Sequence, residues 1–486
     1  MSENRKNILL ISTDHWSRYL MGCAGHSAIL TPTLDQMARQ GIRFTNLYST
    51  CPVCIPARRS LMTGTFPSTH GDRVYSDRMT MPNFTTLAQA FRDAGYQAYA
   101  VGKLHVYPQR NRIGFDDVVL MEEGRYEFGT VDDYQIWLGE NGYAGEEFMH
   151  CMGNNSYLTR PWHLPESAHP TVWATREMCR QIKRKDPTRP AFYYISYQFP
   201  HPPLVPLRTY LDMYSDEDID MPKEGLDDWI DDSAIMSLLK SEAVPYSRKE
   251  ILLAKKAFYA QCTLIDHQIR LLIGTLRECN LLQDTVIGFL SDHGDCLFRH
   301  GLVGKRTFYH ESANVPFILT GQPIAGLAGT ISDKLACLED VMPTLLSLCG
   351  CSVPASVEGI DLLSEKRRDM LYGEIGEGLK ATRMATDGRH KLIYYPNGNL
   401  FHFFDTEKDP DEHHNAYTEP EYAEVIMKLE RYLIGHLHGD DLAWLKNGKL
   451  VGYEANVGSS GPDFALYNQR GLHWPAPEGY SNAGLT

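Results

Sequence analysis

The segment Asn7-Ile-Leu-Leu-Ile-Ser12 is a short apolar run that stops abruptly at the polar residues Thr13-Asp14-His15. The same pattern returns at Gln97-Ala-Tyr-Ala-Val101, which stops at Gly102-Lys103-Leu104-His105. A short apolar run bounded by polar residues is typical of a buried strand. Both segments therefore predict strands of a sheet whose two faces are covered.

Two later segments repeat this pattern, and helical sequence separates the predicted strands. Ala191-Phe-Tyr-Tyr-Ile-Ser-Tyr197 stops at Phe199-Pro200-His201-Pro202, and Thr285-Val-Ile-Gly-Phe-Leu290 stops at Ser291-Asp292-His293-Gly294. The stretch from about Lys249 to Cys279 carries apolar residues at helical spacing. Because strands alternate with helices, we predict an α/β fold with a mostly parallel central sheet and helices on both faces.

Polar and titratable residues follow four of these predicted strands. In open α/β sheets, ligands bind outside the carboxyl ends of the strands. Polar loops explain any one of these positions, but they explain all four together poorly. We therefore expect one site at this edge of the sheet, formed by Asp14, Lys103, His105, His201, Asp292 and His293.

The sequence after about residue 365 predicts a different kind of structure. Thr386–Tyr395 and Leu400–Phe404 resemble antiparallel strands joined by the turn Pro396-Asn-Gly-Asn399. A helix is predicted from roughly Glu419 to His438. These elements predict a smaller α+β unit packed on the first domain.

The predicted organisation is a large domain at residues 1–365, an α+β subdomain at 366–460 and an arm at 461–486. The arm is rich in Gly, Pro and aromatic residues, and such a segment must lie on something to be ordered. We therefore expect a homo-oligomer in which the arm crosses to a neighbouring copy.

Composition limits the class of partner. The 486 residues include 47 Lys and Arg against 61 Asp and Glu, a net charge of −14, which disfavours nucleic acid and anionic membranes as whole-surface partners. No apolar stretch approaches the length of a membrane span or of a secretory leader. The eleven cysteines are odd in number and scattered, as in a reducing compartment. The sequence predicts a cytoplasmic protein.

The most informative segment is Cys51-Pro-Val-Cys54-Ile-Pro56-Ala57-Arg58. Pro56 is well placed to open a helix, so Cys54 would lie at a helix N-terminus, where backbone N–H groups favour an anion. The residues alone leave three interpretations open: an activated thiolate, an anion site, or a buried thiol beside a helix start.

Followed by Leu61-Met-Thr63-Gly64, this segment resembles the signature of the type I sulfatases, in which the cysteine of C-x-P-S/A-R is oxidised to Cα-formylglycine. The resemblance covers nearly the whole chain and implies an alkaline-phosphatase-like α/β/α sandwich. Further matching segments are Asp14, Gly102-Lys103-Leu104-His105, Pro200-His201-Pro202, Ser291-Asp292-His293-Gly294, His300-Gly301, Gly304-Lys305 and Asp340-Val-Met-Pro-Thr344.

The resemblance also implies roles for individual residues. It implies a metal held by Asp14, Asp292, His293 and the modified Cys54. Such a mainly oxygen set favours Ca²⁺. His15 replaces the second Asp or Gln of many relatives, so this residue is either a softer metal ligand, which leaves Mg²⁺ or Mn²⁺ open, or a bystander.

The remaining implied roles concern the nucleophile and the sulfate group. Arg58 would hold the formylglycine hydrate, and Lys103 and Lys305 would contact sulfate oxygens. His201, alone or with Lys305, would bind the substrate and protonate the leaving group, and His105 would release sulfate by taking a proton from the hydrate.

We therefore predict a sulfatase that cleaves a small sulfate ester, such as a sulfated sugar or an aryl or alkyl sulfate. A formylglycine-generating maturation enzyme is the implied protein partner. The alternative is a phosphonate monoester or phosphodiester hydrolase with the same formylglycine, because the two ester types present similar tetrahedra. A catalytically silent, ligand-binding member is a third class, against which the complete set of basic site residues argues.

An insert near residues 122–170 is specific to this chain. Its acids Glu122, Glu123, Asp132 and Asp133 could contact a cationic or hydroxylated substrate, but a solvated face is the prediction that their pattern favours. Its aromatic residues could form a platform for a sugar or aryl ring, although local core is the more common role of such residues. They are Tyr126, Phe128, Tyr134, Trp137, Tyr143, Tyr157 and Trp162.

Overall fold

The computed structural model describes residues 6–76, 78–123, 131–215, 218–223, 225–229 and 246–456. The predicted arm at 461–486 lies outside these residues, as do Tyr126 and Phe128 of the aromatic insert. Within the described ranges, no helix combines the length and the apolar character that crossing a membrane requires.

A nine-stranded sheet forms the centre of the molecule, in the order β4-β3-β5-β1-β6-β7-β2-β8 with β9 paired to β2. Among these strands only β7 runs antiparallel to its neighbours, β6 and β2. The mostly parallel sheet predicted from sequence is therefore confirmed. The strands are β1 Asn7–Asp14, β2 Gly41–Tyr48, β3 Gln97–Gly102, β4 Asp117–Leu120, β5 Ala191–Pro200, β6 Thr285–Ser291, β7 Asn314–Thr320, β8 Thr330–Ser332 and β9 Ala336–Cys337.

Helices cover both faces of this sheet because side chains of its strands alternate between two hydrophobic cores. On β1, Leu9 joins the core that includes the long helix Arg248–Glu278, and Leu10 joins the opposite core with the helix Cys54–Thr63. The predicted α/β/α sandwich is thus confirmed. The α-helices of the described residues are Pro32–Gln40, Cys54–Thr63, Pro67–His70, Leu87–Asp93, Asp133–Glu140, Pro170–Lys183, Arg208–Asp212, Arg248–Glu278, His310–Ala313, Val341–Leu348 and Ala423–His436.

A second, antiparallel sheet follows in the order β10-β11-β12-β13. The predicted hairpin is present, since β12 pairs with β13 in antiparallel register around the predicted turn. The predicted first strand, Thr386–Tyr395, begins later in the structure. Thr386 instead ends β11, and a bend at Gly388, with φ of 96°, reverses the chain before β12. The strands are β10 Leu371–Ile375, β11 Thr382–Thr386, β12 His390–Tyr395 and β13 Leu400–Asp405, and the short pair β14 Leu445–Lys446 and β15 Lys449–Leu450 lies beyond them.

Buried ion pairs connect this second sheet to the first domain. Arg73, which follows the helix Cys54–Thr63 in the chain, places Nη1 3.0 Å from Glu374 on β10 and 2.9 Å from Asp441. Arg383 on β11 contacts the same Asp441 carboxylate at 2.8 Å. Because both acids are buried, removing either arginine would leave an uncompensated charge, which is strongly destabilising.

Candidate functional site

Four parallel strands deliver polar residues to one edge of the sheet, as the sequence predicts. β1 ends at Asp14, Lys103 follows β3, His201 follows β5, and Asp292 follows β6. Parallel strands that pair side by side end at the same edge, so these side chains converge. They meet Cys54, the first residue of the helix Cys54–Thr63.

The site is a cavity of about 440 Å³ when the space open to solvent at its mouth is included. Its lining includes every predicted basic residue except Arg58 and His293. His105 lines the cavity. Its backbone N–H donates to the Glu122 carboxylate at 2.9 Å, and its Nε2 lies 3.3 Å from the Tyr75 hydroxyl. The predicted lining residues are His15, Cys54, Lys103, His105, His201 and Lys305.

Cys54 is 1% exposed and lies among charged groups. Its Sγ is 3.1 Å from His293 Nε2, 3.1 Å from Lys305 Nζ and 3.6 Å from Asp14 Oδ1. Burial and Asp14 would raise the pKa of the thiol, but Lys305, His293 and Lys103 together lower it. The side chain at position 54 therefore sits where negative charge is stabilised.

Arg58 ties two carboxylates together beneath the cavity. Its Nε lies 2.9 Å from Asp292 Oδ2 and its Nη2 lies 3.1 Å from Asp14 Oδ2. It also donates to the Lys103 carbonyl and to Ser196 Oγ, both at 2.8 Å. Burial alone would lower the pKa of the guanidinium, but the two carboxylates raise it above its ordinary value. Arg58 is thus a permanent buried cation.

Lys103 is fully buried between two acids. Its Nζ lies 2.7 Å from Asp14 Oδ2 and 2.6 Å from Glu123 Oε1. The prediction that Glu122 and Glu123 lie on a solvated face was wrong, as it was for Asp132, since each is 1% exposed. Because Lys103 is fully buried, its charge requires carboxylate partners, and Glu123 supplies one besides Asp14.

The donor set at this edge fits a divalent cation. One oxygen of Asp14, one of Asp292, His293 Nε2 and Cys54 Sγ all lie within 4.8 Å of one another. His293 Nδ1 is 2.9 Å from the Gly294 carbonyl, and a carbonyl only accepts, so Nδ1 carries a proton and Nε2 is the ring nitrogen that faces the group. Two carboxylates and one imidazole are ligands that Ca²⁺, Mg²⁺ and Mn²⁺ accept.

Burial raises the pKa of the Asp292 carboxyl, and the neighbouring Asp14 charge adds to this effect. The pKa of Asp14 itself is held well below its ordinary value: burial would raise it, but Lys103, His201 and Arg58 outweigh burial. Two acids this close repel each other when both are ionised. An added cation would relieve that repulsion, which is a second reason why the residues fit one.

Lys305 faces three side chains across the cavity. Its Nζ lies 2.7 Å from His15 Nε2, 3.1 Å from Cys54 Sγ and 3.3 Å from His201 Nε2. Burial and Lys305 together lower the pKa of His201 well below its ordinary value. The resting pair therefore consists of a neutral imidazole beside an ammonium donor.

Asp295 is a site residue that sequence reasoning missed. Its Oδ2 lies 2.5 Å from His15 Nδ1, and the Tyr157 hydroxyl donates to the same oxygen. This contact turns His15 Nε2 toward the cavity, 3.7 Å from Asp14 Oδ1. The signal was present in the sequence, because Asp295 follows the matched Ser291-Asp292-His293-Gly294 segment directly.

A second histidine group lies outside the cavity. Asp227 Oδ1 is 2.8 Å from His300 Nδ1 and 2.7 Å from His413 Nδ1, and these three residues could also hold a metal ion. Hydrogen bonds between them satisfy the same atoms without an ion. Burial would lower the pKa of His300, but Asp227 and Glu311 raise it to about 9.

His300 should therefore make stability fall as pH rises. A histidine whose folded-state pKa lies above the unfolded 6.5 stabilises the fold fully below pH 6.5, and that contribution disappears through about pH 9. We expect the free energy of unfolding in urea to drop by roughly 2 to 3 kcal/mol over this range, and the drop to be much smaller in His300→Asn. His300 has φ of 54°, which Asn tolerates.

The matched control is His402→Asn. Burial lowers the pKa of His402 to about 3, so this residue titrates below pH 6.5 and its loss should leave the slope above pH 6.5 unchanged. Equal slopes in the His300→Asn and unchanged proteins would contradict the assignment of this pH dependence to His300.

Comparison with known families shows two matches. The family model described as Sulfatase matches residues 6–351. The family model described as N-sulphoglucosamine sulphohydrolase, C-terminal, matches residues 299–438. Together these matches extend over both sheets and over the whole cavity edge.

Individual proteins resemble the chain over nearly its full length. The arylsulfatase of Clostridium perfringens is 35% identical over 477 residues, which cover 93% of this chain and 99% of that protein. The choline-sulfatase of Rhizobium meliloti is 29% identical and covers 86% of this chain and 84% of its own. The solved phosphonate monoester hydrolase of Agrobacterium radiobacter superposes with a TM-score of 0.75 at 21% identity, over 92% of this chain and 100% of that one.

Proposed function

The chain belongs to the sulfatase family, with the alkaline-phosphatase-like fold and sulfuric-ester-hydrolase activity of that family, and from this premise we propose that its nucleophile is formylglycine made from Cys54. The observation that carries the proposal is the position of Cys54. Its side chain lies within 3.1 Å of both His293 and Lys305 at the floor of the cavity. A hydroxyl at this position would face the bound sulfate group.

The first step replaces the alcohol on sulfur. One hydroxyl of the formylglycine hydrate attacks the sulfur atom, and the S–O bond to the alcohol breaks. The attacking hydroxyl gives its proton to the Asp292 carboxylate, one oxygen of which lies within 4.8 Å of Cys54 Sγ. The leaving oxygen takes a proton from Lys305, directly or through His201, whose Nε2 is 3.3 Å from Lys305 Nζ. Lys103 and Lys305 offset the charge on the sulfate oxygens.

The second step restores the aldehyde. His105 takes the proton from the remaining hydroxyl, the C–O bond to sulfate breaks, and sulfate leaves. His105 lines the same cavity as Cys54, and its backbone is held by Glu122. Arg58, fixed by two carboxylates, keeps the start of the helix and the nucleophile in place. Water does not attack an ester in this sequence of steps.

We propose Ca²⁺ as the cation, held by Asp14, Asp292, His293 and the modified residue 54. When bound, it supplies positive charge that offsets the sulfate oxygens and favours ionisation of a nearby hydroxyl. His15 is a further candidate ligand, because its Nε2 belongs with Asp14 and Cys54 to a second group of neighbouring ligand atoms. With the His15 imidazole as a ligand, the site would carry one negative charge fewer than with a second Asp.

The choice between sulfate and phosphonate esters tests the proposal. We expect metal-reconstituted protein of known formylglycine content to hydrolyse 4-nitrophenyl sulfate with a kcat/KM at least about tenfold above that for phenyl phosphonate monoester, a difference of about 1.4 kcal/mol. A strong preference for the phosphonate would replace the sulfatase proposal with the alternative function.

Three further elements belong to the proposal. The maturation enzyme is required because the chain itself offers no oxidant for Cys54. A cytoplasmic location is supported by the eleven cysteines, all of which are free thiols. Residues 1–365 would form the catalytic domain and 366–460 the subdomain, and sedimentation after truncation beyond about Gly461 would report whether the arm holds copies together.

A further inference from the structure

A second cavity lies beside the reaction cavity at the same edge of the sheet. It encloses about 390 Å³, part of it open to solvent. Asn154 lines both cavities, so they adjoin at this residue. The second cavity also meets the strand ends that carry the site, through Met121 directly after β4 and Gln198 near the end of β5.

The walls of this cavity are mainly apolar and are held in place. Trp162 lines it beside Phe148 and Phe199. The backbone N–H of Trp162 donates to the Pro206 carbonyl at 2.9 Å, and the segment before it pairs with the chain near Leu204. This part of the insert is therefore a fixed wall, and its aromatic surface suits the flat, apolar face of a ring.

Two polar atoms in this wall have no hydrogen-bond partner among the described residues. They are Gln198 Oε1, an acceptor, and Trp162 Nε1, a donor, and both residues line the cavity. Leaving a buried polar atom without a partner costs about 1 to 3 kcal/mol. A hydroxyl group both donates and accepts, so a hydroxylated ligand would satisfy both kinds of atom.

The charge of the lining excludes other occupants. Among the residues that the structure describes, no Lys or Arg lines this cavity, so these residues offer no counter-ion to a second sulfate or a carboxylate. Burial lowers the pKa of His150 to about 4, which leaves that imidazole neutral near pH 7. Glu147 is engaged by Gln135 Nε2 at 2.9 Å. A trimethylammonium group could lie against the aromatic residues, but it has no acceptor for the Trp162 N–H.

We propose that this second cavity holds the alcohol part of the substrate as an uncharged, hydroxylated ring, with Trp162 and Gln198 as specificity-determining residues. The inference rests on the proposed sulfatase function and deepens it by naming the substrate class, a sulfated monosaccharide with a single charged group. The sulfate would occupy the reaction cavity while the ring passes Asn154 and packs against Trp162.

The test compares N-acetylglucosamine 6-sulfate and galactose 6-sulfate with choline sulfate. We expect at least one sulfated sugar to show a KM about tenfold below that of choline sulfate. Trp162→Phe, which keeps the ring but removes the N–H, and Gln198→Leu should each raise that KM by about five- to tenfold with little change in kcat. The KM for choline sulfate should not move.

The chain offers matched controls for both substitutions. Trp173 Nε1 and the side-chain amide of Gln261 are also buried without partners among the described residues, but neither residue lines either cavity. Trp173→Phe and Gln261→Leu should therefore leave every KM unchanged. If the controls and the cavity variants change KM alike, or if choline sulfate is preferred and that preference depends on Trp162, the inference is wrong.

A binding experiment separates this inference from the proposed function. Ligand-observed NMR with unsulfated N-acetylglucosamine and galactose on Cys54→Ala protein needs no turnover. Binding that Trp162→Phe abolishes supports the cavity assignment even where no sulfate ester is hydrolysed, which would refute only the sulfatase proposal. Absence of sugar binding to protein with an intact second cavity would overturn the inference while leaving sulfatase activity untouched.

Discussion

Cys54→Ala is expected to lower kcat/KM for 4-nitrophenyl sulfate by about 10⁴-fold or more, because removing a covalent nucleophile removes the whole reaction path rather than one contact. The fold should survive, since Ala occupies the start of a helix without strain. Turnover measured by release of 4-nitrophenol, beside a thermal melt, checks both statements. An active Cys54→Ala protein would refute the nucleophile assignment.

Cys51→Ala is the matched control for this substitution. Cys51 lies three residues upstream and is also buried, but its Sγ faces the Arg73 carbonyl at 3.8 Å and does not line the cavity. We expect activity to remain within a few-fold of the unchanged protein. Mass spectrometry should find the peptide containing Cys54 about 18 Da lighter than its thiol form wherever the modification has occurred.

Arg58→Ala is expected to remove activity and to lower the free energy of unfolding by about 3 to 5 kcal/mol. The substitution leaves the buried carboxylates of Asp14 and Asp292 without the cation that now contacts both, and breaking a buried pair costs this amount. Added Ca²⁺ should restore part of the lost stability, because a cation bound between the acids stabilises only the folded state. Urea unfolding with EDTA and with Ca²⁺ measures both effects.

Arg59→Ala separates the metal effect from the general cost of losing a buried arginine. Arg59 is as buried as its neighbour, but it contacts Asp72 and the Thr80 carbonyl instead of the site acids. We expect this variant to lose stability without any gain from added Ca²⁺ beyond that of the unchanged protein. If Ca²⁺ stabilises the two variants equally, the acids beneath Arg58 are not the cation site.

The strand ends could be predicted because apolar runs stop where a strand leaves the sheet, and parallel strands end together. Asp14, Lys103, His201 and Asp292 were therefore placed at one edge from sequence alone. Strand direction could not be predicted in this way, because an apolar run such as Asn314–Thr320 is compatible with either orientation. The antiparallel pairing of β7 with its neighbours depends on the connections around it.

Partners of the site residues were harder to predict than the residues themselves. Glu123 contacts Lys103, and Asp295 contacts His15 from a distant segment of the chain. An acidic residue is predicted to be solvent-exposed unless its partner is known. The sequence therefore predicted six residues of the cavity lining but not the residues that contact them. The cavity beside Trp162 depends on how the insert packs, which residue spacing does not encode.

The central place of β1 in the sheet has a consequence for the timing of synthesis. β1 pairs with β5 and β6, and β6 leaves the ribosome about 230 residues after Cys54. At roughly 5 to 20 residues per second, this interval lasts about 10 to 50 s. Until β6 pairs with β1, the acids of that strand end cannot enclose Cys54, which is 1% exposed once the fold closes. Under the proposed modification of Cys54, the order of the strands would leave this residue accessible to a maturation enzyme during translation.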